Sequence, residues 1–250
     1  MTIKTAVILA GGKGLRLNIN TDIPKPMFIV GDKPILERII LLLKNLHFSD
    51  IYLVVGYKKN LIVDYFNDGS KFGLKLNYIE NPSFDQKHKS GLSDAILLLK
   101  NTVKNRFMVI LGDEIYLNTK HRGMLSEFQK DTDCSAMLAV HKTPNPEEIK
   151  KNYSLKLDPN NNIIDIEEKP QVLWNDLIGC GTYLFSDEIF SFLEQTVISE
   201  RTGRKEIADT IKLMISRKKV VKAFEIGGKY ININYPSDIE AAENILSWKK

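Results

Sequence analysis

A glycine-rich turn near the start of the chain carries residues whose types and spacing suit phosphate chemistry. Gly11, Gly12 and Gly14 follow the apolar run Ala6 to Ala10, and Arg16 comes two residues later. Glycines let a backbone turn tightly and bring its N–H groups close to phosphate oxygens, while a guanidinium offers a forked cation. The spacing matches neither the Walker nor the dinucleotide-binding pattern, so the turn alone also fits a plain connection between a strand and a helix.

A lysine framed by two prolines is the second candidate for phosphate chemistry. Pro24 and Pro26 restrict the backbone on both sides of Lys25. A lysine that only meets solvent seldom needs such framing. The sequence therefore predicts a fixed cation a short distance along the chain from the glycine-rich turn.

The elements that must position these residues predict an α/β fold, with a Rossmann-like, mixed but mostly parallel central sheet flanked by helices. Short apolar runs alternate with helical patterns, which is typical of βαβ units, and function is expected where such strands end. The predicted strands are 6–10, 51–55, 74–79 and 107–111, and the predicted helices are 34–46, 61–66 and 93–99.

The second half of the chain is richer in strands but is not set apart by a linker. We predict strands at 136–140, 153–157, 163–167, 178–185 and 220–226, and helices at 187–195, 205–216 and 237–248. No Gly/Ser/Pro-rich stretch divides the halves, so we expect a single domain over 1–250 whose second half extends the same sheet. The two halves meet near residue 134.

Composition excludes several classes of partner. The 35 basic residues are interspersed with 31 acidic ones, so nucleic-acid binding is not expected. The first apolar run is too short for a signal peptide or a membrane span, which predicts a soluble, cytoplasmic protein with no membrane partner. Cys134 and Cys180 lie in apolar runs without metal-ligand spacing, and we expect buried thiols in a reducing compartment.

Five motifs in order make the sequence resemble the sugar-1-phosphate nucleotidyltransferases, the family of glucose-1-phosphate thymidylyltransferase and mannose-1-phosphate guanylyltransferase. The family's opening pattern, L-A-G-G-x-G-x-R-L followed by P-K-P, matches residues 9–17 and 24–26. The later matches are residues 66–73 to G-D-G-S-x-F-G, 111–113 to L-G-D, 168–170 to E-K-P and 230–238 to W-x-D-I-x-T-P-E-D.

The resemblance implies an enzyme that joins a nucleoside triphosphate to a sugar 1-phosphate, releasing pyrophosphate and leaving an NDP-sugar. Two anions must be brought together, so cations have to come from both sides. The resemblance therefore implies a nucleotide-binding half, about 1–134, and a sugar-phosphate-binding half, about 135–250. The fold it implies is the nucleotide-diphospho-sugar transferase type.

On the triphosphate side, the resemblance assigns Arg16 and Lys25 to the phosphates. It places Leu9, Ala10, Gly11, Gly12 and Gly14 along the nucleotide. For the base it implies the segments that contain Asn81 and Gly91. Asn81 stands where thymidylyl- and uridylyltransferases carry a longer glutamine, which leaves the identity of the base open.

The resemblance also implies a Mg²⁺ cofactor with Asp113 as a ligand, because hard cations prefer oxygen. The other role of Asp113 would be a helix or turn cap. Asn232 stands where many members have a second metal-binding aspartate, and Asn234 is near enough to be the alternative. A neutral second ligand is expected to weaken Mg²⁺ binding in the free enzyme.

On the acceptor side, the resemblance implies that Lys169 meets the sugar phosphate and Glu168 the sugar hydroxyls. Ser154 replaces a glycine that touches the sugar in the family, so the pocket shape is expected to differ. Gly181 is a further acceptor-binding candidate. Lys212 could replace an arginine that some members direct at the phosphate, and a solvated helix position is its alternative.

Three questions stay open at the level of sequence. One rival is a cytidylyltransferase for a non-sugar acceptor such as phosphocholine or a phosphonate; the other is a non-catalytic subunit that binds an NDP-sugar. The second is disfavoured because Arg16, Lys25, Asp113 and Lys169 are all present. Residues 83–90 could be a lid or a surface loop, and self-association into a homo-oligomer is undecided.

Overall fold

The structure is a computed structural model and describes residues 3–12, 14, 22–82 and 91–247. The strands are β1 (Thr5–Ala10), β2 (Ile29–Val30), β3 (Lys33–Pro34), β4 (Asp50–Val55), β5 (Lys75–Glu80), β6 (Phe107–Leu111), β7 (Glu114–Leu117), β8 (Cys134–Lys142), β9 (Tyr153–Leu157), β10 (Ile163–Glu168), β11 (Leu177–Phe185), β12 (Val220–Glu225) and β13 (Lys229–Asn232). The helices are α1 (Ile35–Asn45), α2 (Lys59–Phe66), α3 (Leu92–Leu97), α4 (His121–Lys130), α5 (Pro146–Lys151), α6 (Ile189–Gln195), α7 (Ile207–Ser216) and α8 (Pro236–Ser247).

Seven strands form one sheet in the order β12-β8-β11-β6-β1-β4-β5. The pairs β1–β4, β4–β5 and β12–β8 are parallel, whereas β11 and β8 are antiparallel. This mixed sheet with helices in its connections confirms the predicted α/β class. No helix among the described residues is long and apolar enough to cross a membrane.

The chain divides into two compact units, each made of separate stretches. We call the described residues within 4–84, 110–119 and 228–250 the terminal unit, and those within 1–3, 85–109 and 120–227 the central unit. The terminal unit thus combines both ends of the chain with a short middle stretch. The two stretches that complete it are joined by the antiparallel pairing of β7 with β13.

Helix α1 shows how the local sequence produces an element of the terminal unit. Pro34 precedes its first turn, where a missing N–H group costs nothing. Its apolar residues recur at helical spacing and are fully buried: Ile35, Leu36, Ile39, Ile40 and Leu43. Because that stripe faces the core while Arg38 and Leu41 between its members are less buried, burial of one face rather than propensity holds the helix in place.

The central unit has a core of long, fully buried strands. Every residue of β11 is buried, and β8 is buried from Cys134 to Val140. Cys134 and Cys180 are both buried thiols, as predicted. Phe107 packs against both Phe185 and Phe190 in this core. A continuous apolar run is the expected pattern for strands covered on both faces.

The structure corrects the sequence prediction in two respects. The strands predicted at 153–157 and 163–167 do not extend the main sheet, because β9 and β10 pair with each other in a separate two-stranded sheet. Several elements were also not predicted: the short β2–β3 and β7–β13 ribbons and the helices α4 and α5. Strands of two to four residues carry too little periodic signal to be found by pattern.

Candidate active site

A buried lysine, an aspartate and an asparagine meet in the terminal unit. Lys25 is 7% exposed. Its Nζ donates to Asp113 Oδ2 at 2.6 Å and to Asn234 Oδ1 at 3.3 Å. A buried ammonium needs such partners, because an uncompensated charge away from water is costly. The cation predicted from the two flanking prolines is therefore fixed by side chains 88 and 209 positions away in sequence.

Two local structures bring these three residues together. Lys25 begins a short 3-10 turn, Lys25–Met27, with Pro24 extended before it. Asp113 lies between β6 and β7, and its carbonyl accepts a hydrogen bond from the Ile233 N–H at 3.1 Å. The pairing of β7 with β13 continues this contact, since Glu114 is opposite Asn232. The residues that follow β13 therefore lie next to the carboxyl end of β6, because β13 pairs with β7.

The two asparagines that could provide a second metal ligand have different surroundings. Asn234 faces Lys25 through its side-chain oxygen. Its backbone N–H donates to Asp238 Oδ2 at 2.7 Å, as does that of Tyr235, which fixes the turn into α8. Asn232 lies on the ribbon as the cross-strand neighbour of Glu114. Both stay candidates, and Asn234 is the one in contact with the Lys25–Asp113 pair.

The residues of this cluster fit a hard divalent cation. The donors are a carboxylate, Asp113, and amide oxygens from Asn232 or Asn234, the ligand types that Mg²⁺ takes in proteins. The Asp113 side chain is 28% exposed, so one side of it is open. No group of three or more His, Cys, Asp or Glu side chains forms a metal cage in the described ranges. Mg²⁺ sites next to phosphates commonly use only one or two carboxylates.

The glycine-rich turn lies against the lysine. Gly14 has φ +67°, and a Cβ at this position would be 2.8 Å from the Lys25 Cβ. Glycine is therefore required at position 14 by both its conformation and its close approach to Lys25. A Cβ added at Gly12 would meet no atom of the described residues within 4 Å. The structure thus brings together the turn and the cation that the sequence singled out, whereas Arg16 lies outside the described residues.

The remaining nucleotide-side candidates in the terminal unit are held by backbone hydrogen bonds or by burial. Ala10 is buried at the end of β1, and the Leu9 carbonyl accepts the Gly112 N–H at 3.0 Å. The Gly11 carbonyl accepts the Tyr57 N–H at 3.3 Å. Asn81 follows β5, is 8% exposed and donates its backbone N–H to the Val55 carbonyl at 2.8 Å.

Gly91 belongs to the central unit, where it precedes α3. Its N–H donates to Asp94 Oδ2 at 2.9 Å, which closes the first turn of that helix. A side chain at position 91 would overlap the Lys205 backbone. The need for glycine here is thus explained by packing. The loop 83–90 before it lies outside the described residues.

The Glu168-Lys169-Pro170 motif forms a strained turn at the end of β10. Lys169 has φ +46°, in the left-handed region that lysine rarely adopts. Its backbone N–H donates to the Asn152 carbonyl at 2.6 Å, and Pro170 is buried. The Lys169 ammonium makes no hydrogen bond or ion pair to any described residue. The structure thus fixes the backbone of this lysine and leaves its charge available.

The neighbouring carboxyl group of Glu168 has a perturbed acidity. Burial raises its pKa to about 7, and the negative charge of Glu206 adds to the effect. Lys169 and Arg201 act in the opposite direction, and Asp209 raises the pKa further. Near neutral pH this carboxyl group can therefore both donate and accept hydrogen bonds, which suits contact with sugar hydroxyls.

The other acceptor-side candidates have different environments. Ser154 lies on β9 opposite Glu167 and is fully buried, and its Oγ has no hydrogen-bond partner among the described residues. Gly181 lies within the fully buried strand β11. Lys212 is exposed on α7, with its Nζ 3.2 Å from Asp165 Oδ1. The Lys212 ammonium is thus engaged in a surface ion pair in this structure.

Comparison with known proteins decides the family. The sequence model of the nucleotidyl transferase family matches residues 5–247. This chain belongs to the nucleotidyl transferase family. The match covers both units and every predicted site residue from Leu9 to Asn234.

Relatives within the nucleotidyl transferase family are similar over almost the whole chain. The bifunctional protein GlmU of Methanocaldococcus jannaschii is 38% identical over 243 residues, which are 96% of this chain and 54% of that protein. The chain thus spans about half the length of the GlmU relatives it matches. The UTP–glucose-1-phosphate uridylyltransferase AglF of Haloferax volcanii is 31% identical over 96% of each chain. A solved UDP-glucose pyrophosphorylase with bound UDP-glucose shares the fold, with TM-score 0.86, 23% identity and full coverage of both chains.

Two residues that contact or adjoin the candidate site residues were not found from sequence. Glu114, next to Asp113, is 1% exposed and accepts hydrogen bonds from the hydroxyl groups of Tyr116 and Tyr230. Arg201 donates to two backbone carbonyls of the Glu168-Lys169-Pro170 motif. An isolated acidic residue in a short strand and an arginine in a polar loop carry no spacing signal, so only the fold reveals them.

Proposed function

We propose that this chain transfers a nucleotidyl group from a nucleoside triphosphate to a sugar 1-phosphate, giving an NDP-sugar and pyrophosphate. The observation that carries the proposal is the ion pair of the buried Lys25 with the partly exposed Asp113 beside Gly14, at the carboxyl end of a strand of the main sheet. A cation, a carboxylate and a glycine-rich backbone are the groups that a triphosphate and its metal ion require. The similarity to AglF over 96% of both chains supports the same reaction type.

The reaction needs charge stabilisation more than proton transfer. An oxygen of the acceptor phosphate forms a bond to the α-phosphorus, and the bond from that phosphorus to the bridging oxygen breaks, so its electron pair leaves with pyrophosphate. Lys25 is proposed to neutralise charge on the triphosphate, and Arg16 is proposed to share this role. The acceptor phosphate is already ionised near neutral pH, so no general base is required.

The proposed cofactor is Mg²⁺, held by Asp113 together with Asn232 or Asn234. When bound, it would neutralise phosphate charge next to Lys25. The 2.6 Å contact keeps one Asp113 oxygen on the lysine. The carboxylate can therefore hold Lys25 in place with one oxygen while the other remains for a cation.

The proposed acceptor groups are Lys169 for the phosphate and Glu168 for the sugar hydroxyls. Lys169 qualifies because its backbone is fixed while its ammonium has no bonded partner in the described residues. Ser154 and Gly181 are proposed to shape the acceptor pocket from β9 and β11, and Asn81 and Gly91 to border the base. Lys212 is the least supported member of this set, because Asp165 already pairs with it.

The first substrates to test follow from the printed name of AglF, which specifies UTP and glucose 1-phosphate. We propose a pyrimidine triphosphate and a hexose 1-phosphate for this chain. Because Cys134 and Cys180 remain thiols, we propose a reducing, cytoplasmic setting, in which NDP-sugars serve as activated donors for polysaccharide synthesis.

A pyrophosphate-release assay over a grid of substrates tests the proposal. UTP, dTTP, CTP, GTP and ATP would each be combined with glucose, galactose, mannose and N-acetylglucosamine 1-phosphates and with phosphocholine, in the presence of Mg²⁺. We expect turnover with at least one sugar phosphate and loss of turnover when EDTA is added. Turnover with CTP and phosphocholine alone would support the non-sugar cytidylyltransferase instead.

Two variants test whether the measured turnover depends on the proposed site, and a binding measurement tests for a non-catalytic protein. Asp113→Asn should remove turnover, whereas Asp133→Asn, which changes an exposed carboxylate of the central unit, should not. Binding of an NDP-sugar by calorimetry without any turnover across the grid would overturn the proposal in favour of a non-catalytic subunit.

A further inference from the structure

Arg201 connects the loop between α6 and α7 to the Glu168-Lys169-Pro170 turn. Its Nη1 donates to the Lys169 carbonyl at 3.0 Å, and its Nη2 donates to the Glu168 carbonyl. The same guanidinium is 3.8 Å from Glu167 Oε1. All these groups belong to the central unit. One side chain therefore contacts three consecutive residues at the end of β10.

The turn that Arg201 contacts needs external support. β10 ends at Glu168, and the next residue, Lys169, leaves the sheet with φ +46°. A side chain makes this conformation unfavourable, so lysine holds it only where surrounding contacts require it. The Lys169 N–H is fixed by the Asn152 carbonyl at 2.6 Å. Arg201 supplies the matching donors for the carbonyl groups.

A guanidinium is the side chain best suited to two neighbouring carbonyls. It presents several N–H donors in one rigid plane, whereas an ammonium is a single flexible point of charge. The charge also matters, since Glu168 is next to Glu206 and Asp209 as well as Lys169 and Arg201. Arg201 opposes the rise in the pKa of Glu168 that burial and those two carboxylates cause.

We propose that Arg201 is a positioning residue for the acceptor: its guanidinium clamps the Glu168 and Lys169 carbonyls and so fixes the direction of the Lys169 ammonium. This inference rests on the proposed function, in which Lys169 meets the acceptor phosphate. Arg201 acts through Lys169, and direct contact with the acceptor is the alternative to be tested.

Hydrogen–deuterium exchange tests the clamp without depending on turnover. Arg201→Ala should increase exchange in peptides that span residues 163–173, which include the Lys169 N–H, and leave β8 and β11 protected. Arg217→Ala is the matched control, because it removes an exposed arginine at the opposite end of α7. Unchanged exchange near Lys169 in Arg201→Ala would overturn the clamp, whatever the kinetics show.

A double-mutant cycle tests whether Arg201 acts through Lys169. Arg201→Ala should raise the KM for the acceptor about tenfold with little change in the KM for the triphosphate, and Arg201→Lys should be nearly as poor. In a Lys169→Ala background, Arg201→Ala should add almost nothing, because the group it positions is gone. If the double variant instead raises the acceptor KM by the product of the two single effects, Arg201 contacts the acceptor independently of Lys169. That result would overturn the positioning role.

Two further readouts distinguish positioning from general damage. Guanidinium ions at millimolar concentration should restore part of the activity of Arg201→Ala and none of that of Lys169→Ala. Glu168 also loses a neighbouring cation in Arg201→Ala, so its pKa should rise. The pH range over which the acceptor KM changes should therefore lie higher in this variant than in the parent protein. If Arg201→Ala does not fold, exchange and kinetics of Arg201→Lys decide the question. No turnover of the parent protein with any pair would refute the proposed function, and the exchange result would still decide the clamp.

Discussion

Lys25 and Lys169, the two lysines proposed to bind phosphates, are each followed by proline, yet the structure fixes them in different ways. The Lys25 side chain is 9% exposed and is paired with Asp113 and Asn234. Lys169 is fixed through its backbone, and its ammonium has no bonded partner in the described part of the chain. The same Lys-Pro signature thus gives a side chain with fixed partners in one unit and a fixed turn with an available charge in the other.

Because the two lysines are fixed differently, substitutions around Lys25 and substitutions of Lys169 should differ in whether they change stability together with activity. Removing a partner from a buried ion pair leaves a charge without compensation, so changes at Lys25 or Asp113 should affect folding as well as turnover. Removing the available charge of Lys169 should affect turnover alone. The difference can be tested by measuring pyrophosphate release and urea unfolding on the same variants.

The largest effect is expected for Asp113→Asn. Turnover should fall about a hundredfold or more, since the substitution removes the carboxylate charge that pairs with Lys25 and that is proposed to hold the metal ion. The free energy of unfolding should fall by about 1 to 2 kcal/mol, because the Lys25 ammonium loses its charged partner and keeps only amide oxygens as acceptors. Adding Lys25→Met should recover part of that stability but no activity. Full parental stability in Asp113→Asn would mean that the pair is not a buried one in solution.

The next effect is expected at Lys169, where two substitutions separate charge from backbone. Lys169→Ala and Lys169→Gly should reduce kcat/KM for the acceptor equally, by about a hundredfold, because both remove the ammonium. The glycine variant should nevertheless be more stable than the alanine variant by about 1 kcal/mol, since glycine adopts φ +46° without strain. Lys156→Ala, at an exposed position of β9, is the control. Equal stability of the two variants would argue against a strained turn.

Sequence motifs pointed to residues that the structure brings together, but they did not point to residues whose place depends on the geometry of the fold. Lys25 and Gly14 lie in motifs, and the structure places them in contact. Arg201 could not be found, because its partners are backbone carbonyls, which leave no trace in side-chain spacing. The choice between Asn232 and Asn234 also stayed open, since it depends on where β13 ends.

Fold prediction followed the same division. The continuous apolar runs that became β1, β6 and β11 were predicted nearly at their observed bounds. The four-residue strands β7 and β13 were not, although they assemble the Lys25 cluster. Their stability comes from pairing between distant segments, which a local pattern cannot express.

A smaller effect concerns the pH dependence of stability at Glu168. Its pKa in the folded protein is about 7, above the ordinary value of 4.5, so the folded state favours the protonated form. This contribution to stability is fully present below about pH 4.5 and is lost as the pH rises towards 7. Glu168→Gln should therefore flatten the decline in unfolding free energy between pH 5 and 8. Glu200→Gln, in the exposed loop before α7, should keep the parental slope.

The smallest effect is expected for Lys212→Ala. Its pair with Asp165 is solvent-exposed, so unfolding free energy should change by less than about 1 kcal/mol. Because the ammonium is already paired, we expect the acceptor KM to change less than about twofold. A larger rise in acceptor KM, with the triphosphate KM unchanged, would place Lys212 with Lys169 as a second available cation.

The pairing of β7 with β13 also affects the order in which the protein can fold during synthesis. The terminal unit takes its last stretch from residue 228 onward, whereas its previous stretch ends at residue 119. A ribosome needs roughly 5 to 20 seconds to cover that interval. During this time the nascent chain already has Lys25 and Asp113 but lacks Asn234 and the strand that pairs with β7. The central unit can therefore fold first, and the Lys25 cluster is completed only when residues 228 to 234 have left the ribosome.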